Sequence, residues 1–283
     1  VLRAALRETA RLRGRLDLVV WPEDVVSMGT EQFVGSAVEK ALARLARQHR
    51  ATLLAGVTED VGTARFKNEV VAFSPRGRLV ATFEKVHRVP FGEYVPFRAL
   101  VRHLANLSDV PRDAIAGHGS GMIHTPAGRL ALLVSYEVFF ADRARSGVRA
   151  GGRLLVVPTN TSSYSSQQAP SQELAASRLQ ALSFGRYLLQ AAPTGYSAVV
   201  APSGAVIAES ALSRPAVIER RVSLLSGVTP YEAAGDMPVL AAGGALLVAG
   251  WILLLATEDP PPSSTPRFAD LRRSPRRRRR RRR

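Results

Sequence analysis

The sequence predicts an α/β domain followed by one membrane-spanning helix. Three observations carry that reading. Strand-like and helix-like segments alternate along most of the chain, three apolar runs end on chemically active side chains, and a stretch of 21 residues near the C-terminus carries no charge. At 283 residues the chain is long enough for one large domain with an ample core.

The elements follow in order. The first apolar run is Leu16-Asp17-Leu18-Val19-Val20-Trp21-Pro22-Glu23. Residues 31–50 place Phe33, Val34, Ala37, Val38, Ala41, Leu42 and Leu45 at helical spacing, which predicts a helix. Ala51–Thr58 reads as a strand. Glu69–Ser74 and Leu79–Glu84 read as a hairpin around the turn Pro75-Arg76-Gly77, and the second apolar run ends on Lys85. Residues 98–118 are loop-rich. Strands at Met122–Thr125 and Arg129–Val134 flank the turn Pro126-Ala127-Gly128, and the third run, Leu130 to Val134, leads into Ser135-Tyr136-Glu137. Arg153–Pro158 reads as a buried strand. The polar stretch Thr159–Ser171 is either a lid at the edge of a site or a solvated loop. A helix over Gln172–Arg186 and strands near Tyr187–Ala192, Ser197–Ala201 and Ala205–Glu209 complete the domain, which is expected to span residues 1–230.

Met237–Thr257 is the uncharged stretch. As a helix it would reach about 31 Å at about 1.5 Å per residue, enough for a hydrocarbon core of about 30 Å. The tail beyond it, residues 258–283, is rich in Pro and Arg and is expected to be disordered. It holds eleven Arg against Glu258, Asp259 and Asp270, a net of +8 and so half of the chain's +16. That concentration makes total charge a poor argument for nucleic acid, and no nucleic-acid partner is expected. Positive residues stay on the cytoplasmic side, so the tail is read as cytoplasmic and the catalytic domain as extracytoplasmic, at the cytoplasmic (inner) membrane. The tail serves as a topology anchor on this reading, with anionic lipid headgroups as an alternative contact.

The chain has no cysteine, which excludes disulfides, cysteine-based metal sites and a thiol nucleophile. Its five His show no paired metal-ligand spacing, and nothing in the residues implies a metal or organic cofactor. Only His87 stands close to a residue of interest, Lys85.

Glu23, Lys85 and Ser135 are an acid, a cation and a nucleophile-type side chain at the ends of separate strand-like runs. Together they have the parts of an acyl-transfer site: the carboxylate takes a proton, the ammonium holds a developing oxyanion, and the hydroxyl carries the acyl group. A buried salt bridge is the purely structural alternative for Glu23 and Lys85.

Trp21-Pro22-Glu23, Phe83-Glu84-Lys85 leading into Pro90-Phe91-Gly92-Glu93-Tyr94-Val95-Pro96, and Ser135-Tyr136-Glu137 resemble the motifs of the nitrilase superfamily, and within it the apolipoprotein N-acyltransferases. The resemblance runs from about Leu16 to the apolar segment ending near Ala256. It implies a nitrilase-like αββα sandwich. It also implies Glu23 as general base, Lys85 as oxyanion cation, Ser135 at the nucleophile position, Glu93 as a supporting acid, and Tyr136 and Glu137 as the pair following the nucleophile. The implied partners are a phospholipid acyl donor, a diacylated apolipoprotein acceptor and the membrane. Members of that family carry several membrane spans ahead of the catalytic domain, so the chain is expected to be a fragment or to have a misassigned start.

Position 135 departs from the family pattern, which has Cys there. A thiol with a pKa of about 8.5 is partly ionised near neutrality, whereas an alcohol is not. Either the site is tuned for Ser135, or the protein is a catalytically silent membrane-anchored binding module. A nitrilase-like amidase is a third reading.

Overall fold

The computed structural model describes residues 1–164 and 166–257. One compact unit spans Val1–Ala233 and a second begins at Ala234. The first is built on two six-stranded sheets, one from each half of the chain.

The N-terminal half opens with α1 (Leu2–Ala10) and continues through β1 (Leu18–Val20), β2 (Val26–Ser27), α2 (Ala37–His49), β3 (Thr52–Val61), β4 (Arg65–Phe73) and β5 (Leu79–Glu84). A short helix α3 (Arg98–Val101) and strand β6 (Asp113–Ala114) follow. β3 and β4 form the long antiparallel centre of this sheet. β1 and β2 both lie parallel on the same edge of β3, opposite Thr52–Leu54 and Val57–Thr58 respectively. The residues between them leave the ladder, which frees Glu23 from strand pairing. β5 and β6 divide the outer edge of β4 in the same way, and Lys85 follows β5.

The C-terminal half contributes β7 (Met122–Thr125), β8 (Gly128–Leu132), a 3-10 turn (Ser135–Phe139), α4 (Ala141–Arg149), β9 (Leu154–Pro158), α5 (Gln168–Phe184), β10 (Leu188–Ala191), β11 (Ala198–Val200) and β12 (Val206–Glu209). The strand order is β12-β11-β10-β9-β8-β7. β8, β9 and β10 are mutually parallel, so residues after β8 and β9 emerge at one sheet edge.

Side-chain alternation builds the layers. Leu53, Ala55 and Val57 of β3 pack with Leu42, Leu45 and Ala46 of α2, while Leu54 faces the other sheet. Ala131, Leu155 and Val157 join Ala144, Val148, Ala181 and Phe184 beneath α4 and α5. Leu130, Leu132, Val134, Leu154 and Val156 meet Leu54, Val70, Ala72 and Phe83 between the sheets. The result is a four-layer αββα sandwich, as the resemblance implies. Complete burial of an aliphatic side chain contributes about 1.5–3 kcal/mol, so these three clusters dominate the unit's stability.

Several boundaries differ from the sequence reading for local reasons. The helix expected over 31–50 starts at Ala37, because Ser36 Oγ accepts from the Glu39 N–H (3.0 Å) and Glu39 Oε2 accepts from the Gly35 N–H (2.6 Å), a reciprocal cap. The helix expected from Gln172 begins at Gln168 and stops at Phe184, where Gly185 turns left-handed (φ 61°). The end of the polar stretch is therefore helix rather than lid or loop. Ser135 is not in a strand: it opens the 3-10 turn beyond β8. α1 has no counterpart in the sequence reading; it buries Leu2, Ala5 and Leu6 against the first cluster.

The short α6 (Pro230–Ala234) closes the first unit, and α7 (Met237–Thr257) belongs to the second. Its Met237–Ala256 portion has a mean hydropathy of 2.4 over its most apolar window, none of which is buried, and is long and apolar enough to cross a membrane. The tail expected to be disordered lies outside the described residues.

Candidate active site

The backbone delivers Glu23 and Lys85 to one place. Glu23 follows Pro22, whose carbonyl accepts from the Gly56 N–H (3.1 Å). A Cβ on Gly56 would stand 2.5 Å from that carbonyl oxygen and 2.6 Å from Glu23 Cα, so only glycine lets the Glu23 loop lie against β3. Lys85 is fixed by its own N–H, which donates to the Asn68 carbonyl across the β4–β5 ladder (2.9 Å).

The side chains then close a buried network. Lys85 Nζ donates to Glu23 Oε1 and Glu93 Oε1, both at 2.9 Å. Asn68 Nδ2 donates to the same two oxygens at 2.8 and 2.9 Å. Glu93 Oε2 accepts from the Val89 N–H (2.7 Å), which ties the loop after Lys85 to the network. Lys85 is 2% exposed and Glu23 4%. Burial alone would strip the ammonium of its proton, but the two carboxylates outweigh it and hold the Lys85 pKa above its ordinary value. Lys85 is therefore a fixed cation at neutral pH.

Ser135 and its neighbours come from the other sheet. Ser135 takes a left-handed conformation (φ 50°), as does Asp24 beside Glu23 (φ 56°). Non-glycine residues there cost about 1–3 kcal/mol and gather at functional sites. Ser135 Oγ lies 3.2 Å from Thr159 Oγ1 and donates to Glu173 Oε1 at 3.4 Å. Thr159 also donates to Glu173 Oε1. Burial pushes the Glu173 carboxyl up to about 7. Thr159 and Ser135 bonds oppose that rise, Glu23 adds to it and Lys85 lowers it. Asp24 is likewise raised to about 7, chiefly by burial, then by Glu23, with Lys85 and Asn160 opposing.

The remaining sequence candidates serve the frame. Glu137, fully buried, accepts at Oε1 from the Val86 and His87 N–H groups (2.8 and 3.0 Å) and at Oε2 from the Val134 N–H (2.9 Å). It thereby clamps the residues after Lys85 to those before Ser135. Tyr136 packs its ring edgewise on Phe140, with centroids 5.0 Å apart. His87 packs on the same ring (4.4 Å).

Asn68, Thr159, Asp24 and Glu173 had not been singled out from sequence. A signal existed for Glu173: with Ser177 and Gln180 it lies at i, i+4 and i+7, and all three are buried, a polar stripe on the inner face of α5.

The family model described as carbon-nitrogen hydrolase matches residues 2–225, and the chain belongs to that family. Within it, the chain is similar to apolipoprotein N-acyltransferases. The one from Gloeobacter violaceus is 36% identical over 199 residues, covering 69% of this chain and 38% of that protein. That from Mycolicibacterium smegmatis is 29% identical over 231 residues, covering 79% and 38%. The chain thus spans about two-fifths of the length of these curated relatives. Among solved structures, Saccharomyces cerevisiae Nit3, a member of branch 10 of the nitrilase superfamily, matches with a TM-score of 0.56 and 21% identity, over 75% of this chain and 77% of that one. A mutant of an amidase from Nesterenkonia sp. AN1, showing the result of Michael addition of acrylamide at its active-site cysteine, matches with a TM-score of 0.53 and 19% identity, over 75% and 81%.

Proposed function

We propose that this chain is the catalytic part of a membrane-bound N-acyltransferase. It moves a fatty acyl group from a phospholipid to the α-amino group of a diacylglyceryl-modified cysteine at a lipoprotein N-terminus. The observation that carries this reading is the ammonium of Lys85, held in place by Glu23 and Glu93, with Glu137 tying the residues after Lys85 to the residue before Ser135. The similarity to named N-acyltransferases supports the choice of reaction, and the apolar α7 suits substrates that live in a bilayer.

In the first half-reaction Ser135 Oγ attacks the ester carbonyl carbon, Lys85 stabilises the oxyanion, and the lysophospholipid leaves as the alcohol. In the second, the amine attacks the Ser135 ester, an amide forms, and the hydroxyl is restored. Glu23 is the general base, Glu93 and Asn68 hold Lys85 and Glu23 in register, and Glu137 fixes the Ser135 turn. The catalytic domain lies on the extracytoplasmic side.

The test is direct: the full chain in detergent receives phospholipid and a diacylated lipopeptide, and the triacylated product is followed by mass spectrometry. Product that disappears in Glu23→Gln and Lys85→Ala supports the reading; product unchanged in both removes it. Ser135 in place of the family's cysteine favours one second reading, a silent module that binds lipoproteins. An inactive natural chain that gains activity as Ser135→Cys would mark a decayed enzyme, whereas a chain that binds the lipopeptide but stays inactive as Ser135→Cys would support the silent module.

A further inference from the structure

The Ser135 hydroxyl faces a carboxylate, and that carboxylate is not Glu23. Its donor bond runs to Glu173 Oε1 at 3.4 Å, and Thr159, 3.2 Å from Ser135 Oγ, bonds the same oxygen. Glu23 Oε1 is meanwhile engaged by both Lys85 and Asn68. Glu173 is 3% exposed, and its other oxygen, Oε2, is buried without a hydrogen-bond partner among the described residues. A buried carboxyl with one oxygen on a hydroxyl pair and the other unpartnered is costly as a structural device.

We propose that Glu173 is a further catalytic residue, the base that takes the Ser135 proton as Oγ attacks the ester. This rests on the acyl-enzyme reading above and divides its base work between two carboxylates. The Oγ–H bond breaks and its proton passes to Glu173 Oε1, directly or through the Thr159 hydroxyl, while Oγ bonds to the carbonyl carbon. As the tetrahedral intermediate collapses, Glu173 returns the proton to the departing alcohol oxygen. Glu23 is left to take the proton of the incoming amine.

The chemistry explains why a serine site needs this second acid. A thiol ionises near neutrality on its own, whereas an alcohol attacks only as its proton is removed. A base works best with a pKa near the working pH, and burial sets Glu173 near 7. The Ser135 and Thr159 hydroxyls from the second sheet contact it, and the charged groups that act on it are Glu23, which raises its pKa, and Lys85, which lowers it, in the loops after β1 and β5.

The experiment acylates the full chain in detergent with a p-nitrophenyl acyl ester, whose leaving group needs no proton. The burst of nitrophenolate and the acyl mass on residue 135 are followed from pH 5 to pH 9. Glu173→Gln is expected to slow acylation of Ser135 by about 100-fold or more and to abolish the inflection near pH 7, below which the natural chain loses rate. In a Ser135→Cys background the same change costs less than about tenfold, since the thiol supplies its own nucleophile. Glu173→Asp keeps a carboxylate and should keep an inflection, and melting curves identify any variant that fails to fold. Equal losses in both backgrounds, an inflection that survives Glu173→Gln, or no adduct on Ser135 in the natural chain overturns the assignment. An adduct that forms normally but never passes to the lipopeptide amine sinks the transferase reading and leaves the role of Glu173 standing.

Discussion

Replacing Lys85 by Met tests the centre of the site most severely. The change keeps a side chain of similar length but leaves Glu23 and Glu93 facing each other, each holding only the shared Asn68 amide at Oε1. Removing one partner of a buried ion pair costs about 3–5 kcal/mol, because the other is left uncompensated. For a unit of this size 1 kcal/mol shifts the melting temperature by about 2–4 °C, so Lys85→Met should melt about 6–20 °C below the natural chain. Glu93→Gln in the same background removes one of the two stranded charges and should recover part of the loss. The two changes are then strongly non-additive, by about 1 kcal/mol or more. Lys85 has a raised folded pKa, so its contribution is fully present below the unfolded value of about 10.4 and is lost only as pH rises through the folded one. The deficit of the variant should therefore persist across neutral and mildly alkaline pH. Circular dichroism melts of the full chain in detergent measure all of this, and acylation of residue 135 should fall by about 10²–10³-fold in parallel. A melting shift under 2 °C with additive double-variant behaviour would falsify the argument that Lys85 neutralises the buried Glu23 and the half-buried Glu93.

Three further expectations follow from other parts of the molecule. Gly56→Ala drives a methyl into Pro22 O and Glu23 Cα, backbone atoms that cannot swing aside; a loss of about 1–3 kcal/mol and of about 10²-fold in acylation is expected, and a variant normal in both melts and adduct yield would contradict it. Glu173 has a folded pKa near 7 against an ordinary 4.5, so its burial costs the natural chain stability as pH rises between those values. Glu173→Gln should therefore gain on the natural chain from pH 5 to pH 8, by on the order of 3 kcal/mol, and a stability gap that does not change with pH refutes the raised pKa. Because the chain has no native cysteine, Arg220→Cys and Ser274→Cys each give one labelling site. A membrane-impermeant maleimide should label the first in intact cells and the second only after permeabilisation, and the reverse pattern would invert the proposed topology.

Much of this protein could be read directly from the order of its residues. Strand alternation, turn residues and the uncharged stretch at 237–257 are local properties, and they located most strands, α5 and α7 to within a few residues and α2 apart from its first turns. The places of Glu23, Lys85 and Ser135 were legible for the same reason, as each stands just beyond an apolar run that forms a strand, β1, β5 or β8. The caps that trimmed α2 and extended α5 were less legible, since they depend on single hydrogen bonds at the helix ends. What only the tertiary structure decided is how those residues are joined. Asn68 is an ordinary polar residue in β4 until the edge of that strand meets the loops after β1 and β5. Thr159 and Glu173 carry no local mark, because α5 turns a polar stripe inward and leaves Leu179 and Leu182 exposed, contrary to amphipathic expectation. Periodicity records which faces are apolar, whereas a catalytic cluster is a set of polar side chains from distant segments, brought together by sheet packing that no local pattern encodes.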